Sequence, residues 1–414
     1  MGGTGHGGCS ANTNQMSLGE HTLRYLFLSA CQMVSTSPGS TWFGPANGIR
    51  AVLGYDTLSV DSPDYGKFFF ENWKRPGAKT TDSFLDASWR ISHTQTPVVA
   101  FFGPDQATAA SLRDNEEYFD HSAISSNSIA WSWYDARSLE KEFYMPNIAD
   151  LMLHFAESSE PPAAADLMKN LSLSDDEMPI DTTILSGETV CFSTADGSVL
   201  AYNKMSGSVD LKLAAFSQSA EAVTFSDDEA IDDATAYLNR VQGALLASDA
   251  PAGVSVELSP YEIRHTSAAS ADRSGSSSSE MLTHVTVVFR QLVSGIPTIG
   301  TGGVVEVTLN GSRVVCRVRS VLREIASVSG GGSQFDIATL QAEAEERALS
   351  EIRERRYVTE ARVVRSEVGF YAADEGVAQR TAEPTFRVLV EMQSNEVSKL
   401  IERLYRVGEL TGGR

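Results

Sequence analysis

The chain has 414 residues, 42% of them hydrophobic and 21% charged, a balance that suits roughly two to three folded domains. Its formal net charge of −21 argues against a nucleic-acid partner or an anionic membrane surface, since both need patches of Lys and Arg. Four scattered cysteines (Cys9, Cys31, Cys191 and Cys316) form no CxxC pair, no apolar run approaches the ~18 residues of a membrane span, and no signal-peptide layout opens the chain. No metal or other cofactor is expected, and compartment and oligomeric state stay open.

Taken in order, residues 1–22 are rich in Gly, Ser and Asn and read as a loop around His6. The apolar run 23–31 reads as a buried strand that ends in Cys31. A thiol at the carboxyl end of a strand in an α/β sheet stands at the edge where such folds build their sites. Residues 32–47 form an irregular loop bearing Trp42 and Phe43, and 48–55 give a second buried strand leading into Asp56. Two helices follow, over 63–74 and from about 81 to 92, with Phe68, Phe69, Phe70 and Trp73 as a face of the first. Residues 96–102 are a third buried strand, and 129–134 an edge strand. Strand, strand, two helices, strand predicts an α/β layered domain.

From 157 to 181 the composition turns to Pro, Ala, Ser and acidic residues, which predicts a linker holding at most a short helix over 167–173. Beyond it, 189–193 and 199–203 flank Asp196-Gly197 as a hairpin. Helical spacing covers 229–246, and 254–263 is a strand. The Ser-rich stretch 268–280 reads as a loop. Residues 282–293, 304–309 and 314–321 make a strand meander with Asn310-Gly311 as its tight turn. After a flexible break at 327–333 come a helix over 340–356 and strands at 358–371 and 385–392. Helix then strands therefore occurs twice, a weak α+β repeat.

The motifs Gly5-His6-Gly7 and Leu28-Ser29-Ala30-Cys31, with the strand Arg50-Ala-Val-Leu-Gly-Tyr-Asp-Thr57, resemble those of the caspase-like cysteine peptidases. That resemblance covers about a quarter of the chain. It implies Cys31 as nucleophile, His6 as acid/base partner, and the backbone N–H groups of Gly7 and Cys31 as an oxyanion hole. The family's histidine-bearing strand and earlier elements have no counterpart here, so the expectation is a domain incomplete at its N-terminus. The stretch 287–305, with Ser294-Gly295-Ile296-Pro297, resembles the small α+β modules of thermolysin-type propeptides and PepSY proteins, which implies folding, inhibitory or binding units. The expected layout is a caspase-like α/β domain at 1–156, an acidic linker at 157–181, and α+β modules at 182–326 and 327–414.

Each candidate has a plainer reading beside the functional one. Cys31 could be an inert buried strand-end cysteine, since Cys is among the most buried residue types. Cys9 lies close to His6 but has no strand to position it. Asp56 and Trp42 could line a substrate pocket, with Asp56 suited to a basic side chain, or be a turn aspartate and a core tryptophan. Gly300, Gly302 and Gly303 join strands and so are no dinucleotide loop. The functional expectation is a caspase-like endopeptidase acting on a peptide or protein. The alternative is a non-catalytic binding scaffold with PepSY-like interaction modules.

Overall fold

The computed structural model describes residues 16–20, 22–29, 31–117, 121–139, 147–156, 164–173, 180–218, 221–245, 251–355, 357–394 and 398–411. The chain is a mixed α/β protein with more strand than helix. Among the described residues no helix is long and apolar enough to cross a membrane. It divides into two compact units, one comprising Met1–Ala136, His265–His284 and Glu396–Lys399, the other Arg137–Arg264, Val285–Asn395 and Leu400–Arg414.

In the first unit the elements run β1 (Tyr25–Phe27), α1 (Gly39–Trp42), β2 (Ala51–Tyr55), α2 (Tyr65–Trp73), α3 (Thr80–Ile91), β3 (Pro97–Gly103), α4 (Gln106–Asn115) and β4 (Ser128–Ser138). β1 pairs parallel with β2, β2 antiparallel with β3, and β3 antiparallel with β4. β2 and β3 are buried at every position, as uninterrupted apolar runs require. Phe27 meets Phe69 edge-on at 5.0 Å and Tyr55 meets Phe84 at 5.6 Å, so α2 and α3 cover one face of the sheet. On the other face Val52, Val98, Ala100, Phe102, Trp131 and Trp133 bury against Val34, Trp42, Ala46 and Ile49.

Four expectations need correcting here. The strand expected at 23–31 is only Tyr25–Phe27, lies at the end of the sheet, and leaves Phe27 38% exposed. The chain then folds back over Gly54, where an added Cβ would sit 2.7 Å from Val34 Cγ2; Gln32 takes a φ of 56° to make that turn. β4 is interior rather than an edge strand, flanked by β3 and by the strand Val256–Asp272, whose residues from His265 belong to this unit. The Ser-rich stretch is strand as far as Asp272, because Ala268 and Ala269 are small enough to bury and Ser132 donates to Ser267 O at 2.8 Å. Phe70, expected on the packed face of α2, is 44% exposed.

One buried ion pair braces this unit. Arg50 donates to both carboxylate oxygens of Glu116 at 2.5 Å each, and Tyr25 donates to the same carboxylate at 2.6 Å. A bidentate guanidinium–carboxylate pair fixes orientation as well as distance, and here it ties the start of β2 to the residue after α4.

The second unit contains β5 (Asn147–Phe155), α5 (Ala164–Ser172), β6 (Ile180–Ser186), β7 (Thr189–Thr194), β8 (Val199–Asn203), β9 (Val209–Lys212), α6 (Ala215–Gln218) and α7 (Asp227–Leu245). There follow β10 (Val256–Asp272), β11 (Met281–Val293), β12 (Ile296–Gly300), β13 (Val304–Asn310), β14 (Val315–Ser320), β15 (Ile325–Asp336) and α8 (Ile337–Arg353). The chain closes with β16 (Val358–Ala372), β17 (Thr381–Ala382), β18 (Pro384–Ser394), β19 (Ser398–Arg406) and α9 (Val407–Leu410). One sheet has the order β10-β11-β13-β14-β9-β8-β7-β6, and α7 packs on β13 and β14 through its buried Ala234, Leu238 and Val241. A second run of strands, β12-β16-β18-β19, carries α8, which buries Ile337, Leu340, Ala344, Ala348 and Ile352 at helical spacing. Helix followed by strands thus occurs twice in space as well as in sequence.

The short helix allowed for in the expected linker is present and packed, and the stretch expected as a flexible break is strand. Inside the expected linker, α5 buries Leu167, Met168 and Leu171 against α7, and Tyr237 donates to Leu171 O. The expected break at 327–333 belongs to β15, which pairs antiparallel with β5. The Asn310-Gly311 turn runs on to Val314, and its positive φ of 61° falls on Arg313, held by Glu229 and Asp233 at 2.8 Å each.

The glycines between β12 and β13 serve close backbone approach. Gly302 N–H donates to Ala372 O at 3.0 Å, and a Cβ there would lie 2.2 Å from Ala373 O. Gly302→Ala is expected to cost about 2 kcal/mol, the range for overpacking against backbone, and to lower the thermal unfolding midpoint by several degrees. An unchanged midpoint would show that the 372–377 loop shifts freely.

Candidate functional site

Because β1 and β2 run parallel, their carboxyl ends share one edge, and the segments leaving them meet there. Gln32 N–H donates to Thr57 O at 3.1 Å and Val34 N–H to Tyr55 O at 3.2 Å. Cys31 lies in the turn between these contacts and β1, four residues past the strand end. It is a free, half-buried thiol. Its sulfur accepts the backbone N–H of Ser59 at 3.2 Å and lies 3.4 Å from the Ser59 hydroxyl and 3.8 Å from the Ser59 carbonyl. Among the described residues, the hydrogen-bond partners of the thiol are all atoms of Ser59.

Behind Ser59 stands a buried polar network. Val60 N–H donates to Gln95 Oε1 at 3.3 Å, and the Tyr65 hydroxyl reaches both Gln95 Oε1 at 2.7 Å and Val60 O at 3.0 Å. Gln95 Nε2 donates to Ser88 O at 2.5 Å, and the Ser88 and Tyr55 hydroxyls are 2.8 Å apart. Burial pushes the Tyr55 phenol well up, with Tyr65 and the charge on Cys31 adding to the rise. Tyr65 is likewise raised, by burial first; its bonds to Gln95 and Tyr55 pull the other way, and the Cys31 charge adds to the rise. Both phenols therefore stay protonated at neutral pH, and Tyr65 donates within the network.

Asp56 follows directly on β2 at the same edge. It is half-buried, its N–H donates to Thr96 O at 3.0 Å, and its carboxylate accepts from the Thr36 hydroxyl at 3.4 Å. Trp42 is 2% exposed and sits in the core with Val34, Ala46 and Trp131. His6 and Gly7, the expected acid/base partner and oxyanion donor, lie outside the described residues, as does Cys9. Cys191 and Cys316 are buried and form no disulfide with each other or with Cys31, and burial pushes the Cys316 thiol up to about 12.

No family model matches the chain, and no curated protein matches it. Among solved structures it is similar to one described as an uncharacterized protein from Eubacterium rectale ATCC 33656, at 8% identity, over 62% of this chain and 83% of that one, with a TM-score of 0.40. A likeness of that size carries no argument about fold or activity. The meaning of the site rests on this chain's own residues.

The edge holds a half-buried, unbridged thiol that accepts a backbone N–H from Ser59. Ser59, Tyr65 and Gln95 were not marked by the sequence reading. Ser59 follows a strand end and Gln95 precedes one, so position relative to β2 and β3 is the only signal that could have drawn attention to them.

Proposed function

We propose that this chain is a caspase-like cysteine hydrolase, or a descendant of one, that cleaves peptide bonds with Cys31 as nucleophile. The observation that carries this reading is the half-buried Cys31 thiol at the shared carboxyl edge of β1 and β2, accepting the Ser59 N–H. The thiolate attacks the carbonyl carbon of the scissile bond and the carbonyl oxygen becomes an oxyanion. By resemblance, Gly7 and Cys31 N–H groups hold that oxyanion and His6 protonates the departing amine. Water then hydrolyses the acyl-enzyme. The α+β modules with α7 and α8 would act as propeptide-like or binding units.

A set of peptidyl acyloxymethyl ketones differing in the residue before the reactive carbonyl tests the reading. One of the set is expected to modify Cys31 alone, located by peptide mass spectrometry, and His6→Ala is expected to slow that modification. Modification of no cysteine by the whole set, or of Cys9 in place of Cys31, would overturn it. The alternative is a caspase-like scaffold without catalysis. The single-residue environment of the thiol among the described residues favours it, because Ser59 could equally hold an inert sulfur.

A further inference from the structure

We propose that Asn47 is a modification site: its side-chain amide is lost by attack of the Gly48 nitrogen, and the isoaspartate that results reroutes the main chain where it enters β2. The proposal stands apart from the reading of Cys31.

Asparagine followed by glycine favours this reaction, since a residue without a side chain leaves its backbone nitrogen unobstructed. The chain holds two such pairs, Asn47-Gly48 and Asn310-Gly311, and the structure treats them differently. Asn310 is 8% exposed, and its Oδ1 accepts from Ser312 N–H and Val314 N–H at 3.1 Å each. An added Cβ on Gly311 would lie 2.4 Å from Glu221 O, so that turn has little room to rearrange. Asn47 is exposed, and its Nδ2 donates to Ser17 Oγ in an equally exposed bond of 3.2 Å. Gly48 forms an isolated antiparallel bridge with Ile124, and the bond in it, Ile124 N–H to Gly48 O, is long at 3.4 Å. Water reaches the Asn47 amide, and little holds it away from the nitrogen that attacks it.

The Gly48 nitrogen, once hydroxide has taken its proton, attacks the Asn47 Cγ and closes a succinimide ring; the Cγ–Nδ2 bond breaks and ammonia leaves. Water then opens the ring. Opening at Cγ gives aspartate, and opening at the Asn47 backbone carbonyl gives isoaspartate, in which the chain runs through Cβ. One water is consumed and one ammonia released, with nothing oxidised or reduced. Isoaspartate lengthens the main chain at a point of close fit. Asn47 N–H and Ile49 N–H both donate to Leu18 O, at 2.8 and 3.2 Å, and Arg273 donates to Ala46 O at 3.1 Å. Gly48 lies at a φ of 95°, and a Cβ there would sit 2.6 Å from Gly19 O. A lengthened chain cannot keep both bonds to Leu18 O, and the loss falls just before Arg50, whose guanidinium holds Glu116.

The test ages the folded full chain in mildly alkaline buffer and samples it over days. Proteolysis at mildly acidic pH and peptide mass spectrometry follow the mass gain at each asparagine, and electron-transfer fragmentation separates isoaspartate from aspartate. In urea the two Asn-Gly pairs are expected to convert at similar rates. In the folded chain Asn310 must first break two hydrogen bonds, so Asn47 is expected to convert about tenfold faster or more. Asn47→Gln, whose ring would need an extra atom, is expected to lose the conversion at this position. The aged chain is expected to unfold several degrees below the fresh one, whereas Asn47→Asp, which carries the charge without the longer main chain, unfolds with the fresh chain. Folded-state conversion at Asn47 no faster than at Asn310 overturns the proposal, and so does an isoaspartate-bearing chain that unfolds with the fresh one.

Discussion

Cys31→Ala is expected, on the proposed function, to lower peptide hydrolysis roughly a millionfold, because removing the nucleophile from an acyl-transfer site leaves only binding and oxyanion stabilisation. The substitution should leave folding nearly intact. Cys31 is half-buried, lies in a turn, and among the described residues its sulfur bonds to Ser59. The buried Ser59 N–H and hydroxyl lose their sulfur acceptor at a cost of about 1–2 kcal/mol, which lowers stability without dismantling the sheet. Tryptophan fluorescence is the right control, since all five tryptophans (Trp42, Trp73, Trp89, Trp131 and Trp133) fall within the first unit. Hydrolysis that survives in the folded variant would remove Cys31 from the chemistry.

The second large effect concerns the stability of the other unit. Glu367 on β16 accepts from Arg387 at 2.9 Å and also pairs with Arg365 at 3.3 Å and Arg290 at 3.5 Å. Its side chain is only 14% exposed. Burial alone would raise its pKa. Arg290, Arg387 and Arg365 outweigh that and hold it at about 2, below its ordinary value of 4.5. A depressed carboxylate contributes stability that is fully present above the unfolded value and is lost as pH falls through the folded one. Acidification from about pH 4.5 to about pH 2 should therefore remove about 3 kcal/mol from this site.

Glu367→Gln goes further, because it leaves three guanidinium groups without their shared counter-charge. Breaking a buried pair in this way is expected to cost about 3–5 kcal/mol at neutral pH. The probe has to be hydrogen exchange in the peptides of β16 and β18, as fluorescence reports the first unit. Full protection of β16 in the Gln variant would mean that Glu402, which also pairs with Arg387 at 2.5 Å, suffices as counter-charge.

How much of this could be read in the sequence follows from which residues depend on distant partners. β2, β3, α2, α3, α7 and α8 are visible because each carries its own apolar periodicity or uninterrupted apolar run. β15 is not, since Ser329 and Gly330 have no strand character of their own and become strand by pairing with β5, itself overlooked. The run at 23–31 is apolar enough for a longer strand, but only one neighbour, β2, exists for it among the described residues, and Gly54 invites the following segment to cross over. At the candidate site, Cys31 and Asp56 stood out because thiols and carboxylates at strand ends are chemically conspicuous. Ser59 and Gln95 did not, because a loop serine and a buried glutamine acquire meaning only from what they touch. The ion cluster around Glu367 escaped for the same reason. Its members are spread over β11, β16, β18 and β19 and meet only in the folded sheet.

The central claim is that Cys31 is the activated thiol of this chain. A thiol-reactivity map of the folded full-length protein tests it most directly, with iodoacetamide at mildly acidic pH and each cysteine peptide quantified by mass spectrometry. The account predicts fast labelling of Cys31, with Cys191 and Cys316 silent because both are buried in the second unit. A Cys31 that stays as silent as those two while the protein is folded would contradict it and leave the scaffold reading.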